Sequence, residues 1–262
     1  MDMLGRIADM HTHILPRMDD GSKSSNESIC MLEALFSQGV GRVVATPHFY
    51  ASKSDPDEFF KRREASIARL NERLLEKKAE GAEYPEVYVG AEVEYFSAMA
   101  SWSDLEKMCI EGTRLLLVEM PFSPWSRRMV DEICSFKERL GIEPVIAHID
   151  RYFSFFDESM LEMFKKSGVV IQCNADAFLR FSTRRKVLKL LSKGYVDALG
   201  TDCHDMEKRA PNMSVAIGYI EKKLGKGAAD PLIKSGEELL RGARPIGEEL
   251  LRGARPIGED RV

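Results

Sequence analysis

The sequence predicts an α/β fold in which seven parallel strands alternate with helices and close into a barrel. Seven short apolar segments run along the 262-residue chain, and amphipathic segments with helical spacing separate most of them. Strands that are apolar throughout and alternate with helices are typical of a parallel sheet covered by helices. A chain of this length can form such a barrel as one domain. Polar residues follow the apolar segments, which indicates a functional site at the C-terminal ends of the strands.

The first predicted strand ends in Asp9-Met10-His11-Thr12-His13. Alternate side chains of a strand share a face, so His11 and His13 present two imidazoles side by side, a geometry that suits a metal ion. Two surface histidines are the alternative interpretation. The chain has only five histidines, however, and all five follow short apolar segments. This distribution favours a metal site.

The next two helices and strands continue the alternation. A helix begins with N-cap side chains near Ser24 and ends at Gly39. The apolar strand at residues 43–48 ends in a histidine. The helix predicted at residues 57–80 has one apolar side and a charged, solvated face. The third strand, at residues 87–95, carries carboxylates at its end.

The second half of the chain repeats the pattern four more times and closes with a helix. The strands are predicted at residues 115–119, 144–148, 168–172 and 196–204, and the helices at residues 125–140, 158–167, 183–193 and 213–224.

The C-terminal residues contain a duplication. Residues 236–246 recur letter for letter as residues 247–257, and each copy contains two glycines and a proline. Proline interrupts a helix, so no continuous helix can span both copies. We therefore predict a barrel domain over residues 1–235 and a C-terminal tail over residues 236–262.

Composition excludes several functional classes. The formal net charge of −4, without a basic stripe, argues against nucleic-acid binding. No apolar run approaches the ~20 residues of a membrane span, and no signal peptide is recognisable, so membrane insertion is not expected. The five cysteines lack CxxC spacing, which indicates free thiols in the cytoplasm. The oligomeric state is left open.

Nitrogen and oxygen ligands at the strand ends are too many for one ion and suit a cluster of three divalent ions. They are His11, His13, Asp20, His48, Glu92, Glu119, His148, Asp202 and His204. With no thiolate among them, manganese, iron or zinc fits better than a metal that prefers sulfur ligands. Three divalent ions would outweigh the four carboxylates, so the site would attract a phosphate ester.

Two arginines and two alternative ligands complete the candidate site. Arg151 and Arg209 lie just beyond two of the motifs and can bind phosphate in a bidentate manner. Glu94 lies on the same strand face as Glu92 and is an alternative ligand, although its position in the motif favours Glu92. Asp19 is likewise an alternative to Asp20.

These motifs resemble the polymerase-and-histidinol-phosphatase (PHP) family, and within it the manganese-dependent tyrosine-protein phosphatases of bacterial capsule and exopolysaccharide loci. The resemblance covers about residues 7–224 and rests on Asp9–Pro16, Asp19–Gly21, Ala45–Phe49, Gly90–Glu94, Leu117–Met120, Ala147–Tyr152 and Thr201–His204. It implies a distorted, TIM-like (β/α)7 barrel with the active site at the C-terminal ends of the strands.

The resemblance also implies roles for the residues. One ion would be held by His11, His13, Glu92 and Asp202, the second by Glu92, Glu119 and His148, and the third by Asp20, His48 and His204. Arg151 and Arg209 would clamp the phosphate. The implied substrate is a phosphotyrosine-bearing protein, namely a bacterial tyrosine kinase of polysaccharide export. We expect a metal-bridging hydroxide to attack phosphorus without a phospho-enzyme intermediate.

Other mechanisms and functions compete with this one. Cys203 and Arg209 match the Cys-x5-Arg signature of cysteine-dependent phosphatases, but the loop between them lacks the glycines that such a loop requires. A small-molecule phosphatase of the histidinol-phosphatase type is the main alternative function. A metal-dependent amidohydrolase, or a scaffold without activity, fits the ligands and arginines less well.

Aromatic residues near the motifs are candidates to flank a phosphotyrosine ring, although core packing explains most residues of this kind. They are Phe49, Tyr50, Trp125, Tyr152, Phe153, Phe155 and Phe156.

Overall fold

Parallel strands form a curled sheet in the computed structural model, which describes residues 7–247. Within this range the strands are β1 (Ile7–Thr12), β2 (Val40–Ala45), β3 (His48–Phe49), β4 (Glu86–Val89), β5 (Glu92–Glu94), β6 (Leu115–Glu119), β7 (Glu143–Ile146), β8 (Val170–Asn174) and β9 (Ala198–Gly200). The helices are α1 (Ser25–Ser37), α2 (Pro56–Ala79), α3 (Arg127–Cys134), α4 (Phe136–Leu140), α5 (Glu158–Lys166), α6 (Arg184–Ser192), α7 (Met213–Leu224) and α8 (Asp230–Leu239). The predicted α/β fold with a parallel sheet is confirmed.

Two of the predicted strands are each broken into two short strands. The strand predicted at residues 43–48 corresponds to β2 and β3, and the strand predicted at residues 87–95 corresponds to β4 and β5. Pro47 separates β2 from β3, because proline has no N–H to donate to the ladder. The breaks divide the sheet into one part with the order β1-β2-β4 and a second with the order β3-β5-β6-β7-β8-β9.

The curl brings the last strand back towards the first. Thr12 and Cys203 form an isolated parallel bridge, and the backbone N–H of His13 donates to the carbonyl of Cys203 over 2.9 Å. The N–H of Asp202 donates to the carbonyl of His11 over 2.8 Å. These bonds hold the first motif, around His11, next to the last motif, around Asp202, at one edge of the sheet.

The apolar residues form two layers, one inside the curl and one outside it. Inside, buried residues such as Met10, Tyr88 and Leu117 pack against one another. Outside, helices such as α1 and α2 bury one face against the sheet through Leu32 and Leu70. The strands are therefore apolar on both faces, as the sequence pattern predicts for a covered parallel sheet.

The helices lie close to their predicted positions, with two exceptions. Helix α7 begins and ends where predicted, and Ser24 is the N-cap of α1, accepting the N–H of Glu27. The helix predicted at residues 125–140 is two helices, α3 and α4, which meet at Ser135. Helix α8 was not predicted. None of the helices in the described part of the chain is long and apolar enough to cross a membrane.

The first copy of the duplicated segment packs against the sheet. Gly236 lies in α8 against Ala8 of β1, and the buried side chain of Leu240 joins the inner apolar layer. The N–H of Arg244 donates to the carbonyl of Glu111, and that of Ile246 to the carbonyl of Val87. The boundary predicted between residues 235 and 236 thus falls inside a helix. All of the second copy after Gly247 lies outside the described residues, so the prediction of a tail there stays a prediction.

Candidate metal centre

All nine residues predicted as metal ligands lie at one edge of the curled sheet. His11 lies in β1, His48 in β3, Glu92 in β5 and Glu119 at the end of β6, while His13, Asp20, His148, Asp202 and His204 follow strands. The C-terminal ends of parallel strands meet at one edge, so residues far apart in the chain come together there.

His11 and His13 point their Nε2 atoms at each other, 3.1 Å apart. The Nδ1 atom of His13 is 2.7 Å from Asp19 Oδ2, and that of His11 is 3.4 Å from Gln172 Oε1. Since a neutral imidazole carries one proton, donation from Nδ1 leaves the lone pair on Nε2. When both rings are neutral, two lone pairs converge on one point, an arrangement that a cation stabilises.

Carboxylates around this point create a strong negative field. Asp202 Oδ1 lies 3.6 Å from His11 Nε2 and 3.4 Å from His13 Nε2. Burial opposes protonation of His13, but the charges of Asp19, Asp202 and Glu92 outweigh it and hold the pKa of His13 well above its usual value. The same field that retains a proton attracts a metal cation, so the two compete for the ring nitrogens.

Glu92 is the buried carboxylate at the middle of the cluster. Its Oε2 lies 3.2 Å from His11 Nε2 and 2.9 Å from His48 Nδ1, and its Oε1 lies 2.8 Å from His148 Nε2. Burial would raise the pKa of Glu92, yet the surrounding histidines hold it well below its usual value. Neither Oε2 nor the nearby Nδ1 of His48 makes an aligned hydrogen bond within residues 7–247. An ionised, buried oxygen without an aligned hydrogen bond fits a metal ligand.

The alternative carboxylates occupy different places. Glu94 pairs in register with Glu119 on the neighbouring strand and is half-buried, away from the four histidines around Glu92. Asp19 binds His13, whereas Asp20 approaches His48 and His204. Asp19 therefore orients a candidate ligand, and Asp20 faces the cluster directly.

A second group of candidate ligand atoms surrounds Asp20. The Nδ1 atom of His204 is 2.9 Å from the carbonyl of Asp202, which leaves the lone pair on Nε2. That Nε2 lies 3.3 Å from Asp20 Oδ1, and His48 Nε2 lies 3.5 Å from the same oxygen. Burial lowers the pKa of His204, which favours the neutral imidazole. A neutral imidazole facing a carboxylate suits a cation between them.

His148 and Glu119 form the remaining side of the cluster. His148 Nε2 lies 3.5 Å from Glu119 Oε1, in addition to its contact with Glu92. Burial opposes protonation, but hydrogen bonding to the two glutamates raises the pKa of His148 to about 9.

Within residues 7–247, ligand atoms that lie within 4.8 Å of one another define three overlapping groups. They are His13, Asp20, His48 and His204, then His11, His13 and Glu92, and finally His48, Glu92 and Glu119. These groups share members and leave out Asp202 and His148, so they do not reproduce the three sets that the resemblance implies. The donor chemistry fits divalent metal, while the assignment of each ligand to an ion stays a prediction.

Both predicted phosphate-binding arginines contact Asp202. An Nη2 atom of Arg151 donates to Asp202 Oδ2, and Arg209 Nη2 lies 2.7 Å from Asp202 Oδ1. Both guanidinium groups are partly exposed, so they line the opening of the cluster rather than its interior.

The sequence analysis missed several residues that position the candidate ligands. Gln172 Oε1 accepts the backbone N–H of His148 over 2.6 Å, and Asn174 Nδ2 donates to Asp202 Oδ2 over 2.9 Å. Asp9 accepts the N–H and hydroxyl of Thr201. Gln172 and Asn174 are polar residues in an otherwise apolar strand. Because buried polar groups need partners, this was the signal that could have found them.

Backbone strain is concentrated at the same place. Four non-glycine residues within 7–247 have positive φ, and two of them are His148, at 32°, and Asp202, at 55°. Such conformations cost about 1–3 kcal/mol each and persist where the surroundings impose them, which is typical of functional sites. Gly200 permits the close packing, because a Cβ there would lie 2.6 Å from the Cβ of His11.

The loop between Cys203 and Arg209 does not have the geometry of a cysteine-dependent phosphatase. Asp205 Oδ1 accepts the N–H groups of Glu207, Lys208 and Arg209, so these amides do not point at a phosphate. Cys203 is fully buried, and burial holds the pKa of its thiol well above the usual value. A neutral, buried thiol is not a nucleophile.

Comparison with known proteins identifies the family. Residues 7–241 match the family model described as capsular polysaccharide synthesis, CpsB/CapC. The chain belongs to the CpsB/CapC family. This confirms the resemblance inferred from the motifs.

Relatives of the CpsB/CapC family match almost the whole chain. The tyrosine-protein phosphatase CpsB of Streptococcus pneumoniae is 30% identical over 236 residues, which are 86% of this chain and 94% of that protein. The tyrosine-protein phosphatase YwqE of Bacillus subtilis is 29% identical and covers 90% of this chain and 92% of its own.

Solved structures agree with the family assignment. A chain from the crystal structures of YwqE from Bacillus subtilis and CpsB from Streptococcus pneumoniae, described as unique metal-dependent tyrosine phosphatases, matches with a TM-score of 0.77 at 25% identity. The match covers 92% of this chain and 96% of that one. Histidinol phosphate phosphatase from Lactococcus lactis matches with a TM-score of 0.54 at 12% identity, over 85% of this chain and 94% of that one. At this identity the similarity is evidence for the fold alone.

Proposed function

We propose that this CpsB/CapC member is a metal-dependent protein-tyrosine phosphatase that acts in capsule or exopolysaccharide biosynthesis. The observation that carries the proposal is the close approach of the His11 and His13 Nε2 atoms beside the buried, ionised carboxylate of Glu92. Buried carboxylates need a positive charge nearby, and a metal ion supplies it when the imidazoles are neutral. The relatives named as tyrosine-protein phosphatases support the choice of reaction.

Three divalent ions, manganese first and iron or zinc as alternatives, form the proposed cofactor. The proposed ligand sets are His11, His13, Glu92 and Asp202, then Glu92, Glu119 and His148, and then Asp20, His48 and His204. When bound, the ions would supply Lewis acidity at the phosphoryl group and make water nucleophilic near neutral pH. The protein residues hold this arrangement: Asp19 and Gln172 fix the proton positions of His13 and His11.

Arg151 and Arg209 are the proposed phosphate ligands. Their guanidinium groups reach the opening of the cluster from two loops and meet at Asp202. A planar fork matches the oxygens of a phosphate, and its charge opposes the charge that develops in hydrolysis. The arginines would bind and orient the ester over the metal site.

The proposed fold is a distorted (β/α)7 barrel. The pair β2 and β3 counts as one of its strands, and so does the pair β4 and β5. The bridge between Thr12 and Cys203, together with the contact of Asp202 with His11, supports closure between the last and first strands. Closure would bring the first motif, around His11, and the last motif, around Asp202, into one site.

The proposed substrate is a phosphotyrosine-bearing protein, specifically a tyrosine kinase of polysaccharide export. The family description places its members in capsular polysaccharide synthesis, which supports a partner from that system. A small-molecule phosphatase would use the same metal ligands, so substrate choice needs a direct assay.

The deciding experiment compares three substrates side by side with the full chain after chelation and after manganese reconstitution. We expect manganese-dependent turnover of a phosphotyrosine peptide to exceed that of a phosphoserine peptide and of histidinol phosphate. Faster turnover of histidinol phosphate would overturn the proposed substrate. Metal analysis that finds one ion or none after reconstitution would overturn the trinuclear centre.

A substitution at Arg209 tests the phosphate clamp. Arg209→Ala should lower turnover by about 10²–10³-fold, the scale for losing one charge-stabilising donor, while metal content stays intact. Lys208→Ala is the matched control, because Lys208 is an exposed cation next to Arg209 in the same loop. Equal effects of the two substitutions would rule out a specific role for Arg209.

A further inference from the structure

Two aromatic rings stack directly on candidate metal ligands at the opening of the cluster. The ring of Tyr50 lies 5.2 Å from that of His48 at an interplanar angle of 26°. The ring of Phe122 lies 6.4 Å from that of His148 at 21°. Both aromatic residues follow strands that supply ligands, in the loops after β3 and β6.

Phe122 differs from the other aromatic residues near the site in its exposure. It packs against Tyr152 at 5.2 Å on one side, yet 56% of its surface is accessible. Phe122 was not among the aromatic candidates from the sequence, whereas Phe49, Trp125 and Tyr152 were, and these three are buried and belong to the core. Phe122 therefore keeps an apolar face in contact with solvent beside a polar site.

The two rings stack on histidines that contact different oxygens of one carboxylate. His48, beneath Tyr50, contacts Oε2 of Glu92, whereas His148, beneath Phe122, contacts Oε1 of the same residue. The ammonium group of Lys53 lies 4.6 Å from the centre of the Tyr50 ring and holds that ring in place by a cation–π contact. Both rings therefore lie beside histidines of the cluster that would hold the phosphate.

We infer that Phe122 and Tyr50 form an apolar slot that receives the phenyl ring of an aryl phosphate monoester. The inference rests on the proposed function, because it takes the phosphate to be bound by the metal site and the two arginines. An ester with an aromatic leaving group would place its ring between the two side chains, whereas an alkyl ester has no flat surface to stack. A single aromatic contact favours binding by about 3- to 10-fold.

The slot is tested with phenyl phosphate and n-propyl phosphate as paired small substrates of the manganese-loaded full chain. Phe122→Ala should lower the aryl-to-alkyl ratio of kcat/KM by about 3- to 10-fold. Tyr50→Ala should lower it in the same direction, and Phe122→Trp should restore it. Phe181→Ala is the matched control, because Phe181 is 82% exposed and its ring contacts Arg184 at 4.6 Å.

Binding provides a readout that does not depend on turnover. Calorimetry with phenylphosphonate and methylphosphonate should show the same loss of aryl preference in Phe122→Ala, with an unchanged melting temperature. An unchanged aryl-to-alkyl ratio in Phe122→Ala, or an equal loss in Phe181→Ala, would overturn the slot. If the unmodified protein hydrolyses neither phosphate ester, the proposed function fails instead, and the two failures are thereby distinguished.

Discussion

The Nδ1 atom of His13 lies 2.7 Å from Oδ2 of Asp19, and this contact sets which ring nitrogen faces the metal centre. The same carboxylate oxygen accepts the backbone N–H of His48 over 3.0 Å, so Asp19 connects two of the candidate ligands. A carboxylate that binds the outer nitrogen of a ligating histidine fixes its tautomer and raises its basicity.

Replacing Asp19 should weaken metal binding without removing a ligand. Asp19→Ala leaves the proton of His13 free to move to Nε2, and we expect about 10–100-fold lower manganese affinity. Calorimetric titration of the chelated protein measures this directly. Asp57→Ala, which removes an exposed aspartate of α2, is the control. Unchanged affinity in Asp19→Ala would show that the tautomer is fixed by other contacts.

Matched substitutions on the same strand can show whether Glu92 or Glu94 is the metal ligand. Glu92→Gln removes the charge at the middle of four histidines, so we expect loss of at least one ion and at least about 10²-fold lower activity. Glu94→Gln lies two residues further along and should keep the full metal content. Elemental analysis and turnover of the two variants should be measured together. Metal loss in Glu94→Gln alone would reverse the assignment.

The metal-free protein should lose stability as the pH rises from about 6.5 to about 9. The pKa of His148 is raised from 6.5 to about 9, so its protonated form stabilises the fold below pH 6.5 and that contribution disappears by pH 9. The shift corresponds to about 3 kcal/mol. Melting of the chelated protein across this range measures the loss.

Manganese should reverse this dependence, because metal binding needs neutral imidazoles and therefore strengthens with pH. His148→Gln provides the comparison, since it removes one titrating group and should make the profile of the chelated protein less steep. An equally steep profile in His148→Gln would show that other groups cause the pH dependence.

Cys203 should be dispensable for chemistry. Its thiol is fully buried with a raised pKa, so Cys203→Ser should keep substantial activity, and alkylation of the native protein should not reach it. The exposed Cys30 is the positive control for alkylation, which mass spectrometry can map. A trapped cysteinyl-phosphate, or complete loss of activity in Cys203→Ser with metals bound, would restore the cysteine mechanism.

The two copies of the duplicated segment should differ in their effect on stability. Leu240 is buried in the inner apolar layer, and Leu240→Ala should lower the free energy of unfolding by about 2–5 kcal/mol. Leu251 is the same residue in the second copy, outside the described residues, and Leu251→Ala should leave stability unchanged. Denaturant unfolding measures both. A comparable loss in Leu251→Ala would show that the second copy also packs.

The sequence by itself determined the fold class and the location of the site. Apolar segments without alternation predicted a covered parallel sheet, and the histidines and carboxylates after them predicted a polar edge. The motif resemblance identified the family. These features are local, because each depends on a few adjacent residues and on the period of the strand or helix that carries them.

Only the tertiary structure decided which of two neighbouring carboxylates faces the cluster and what orients the ligands. Asp19 and Asp20 are adjacent in the chain, yet one binds the outer nitrogen of His13 and the other approaches His204. The exposure of Phe122, the packing of α8 and the left-handed backbone of Asp202 were likewise absent from the pattern. Most of these features depend on contacts between residues distant in sequence, and hydrophobic periodicity does not encode such contacts.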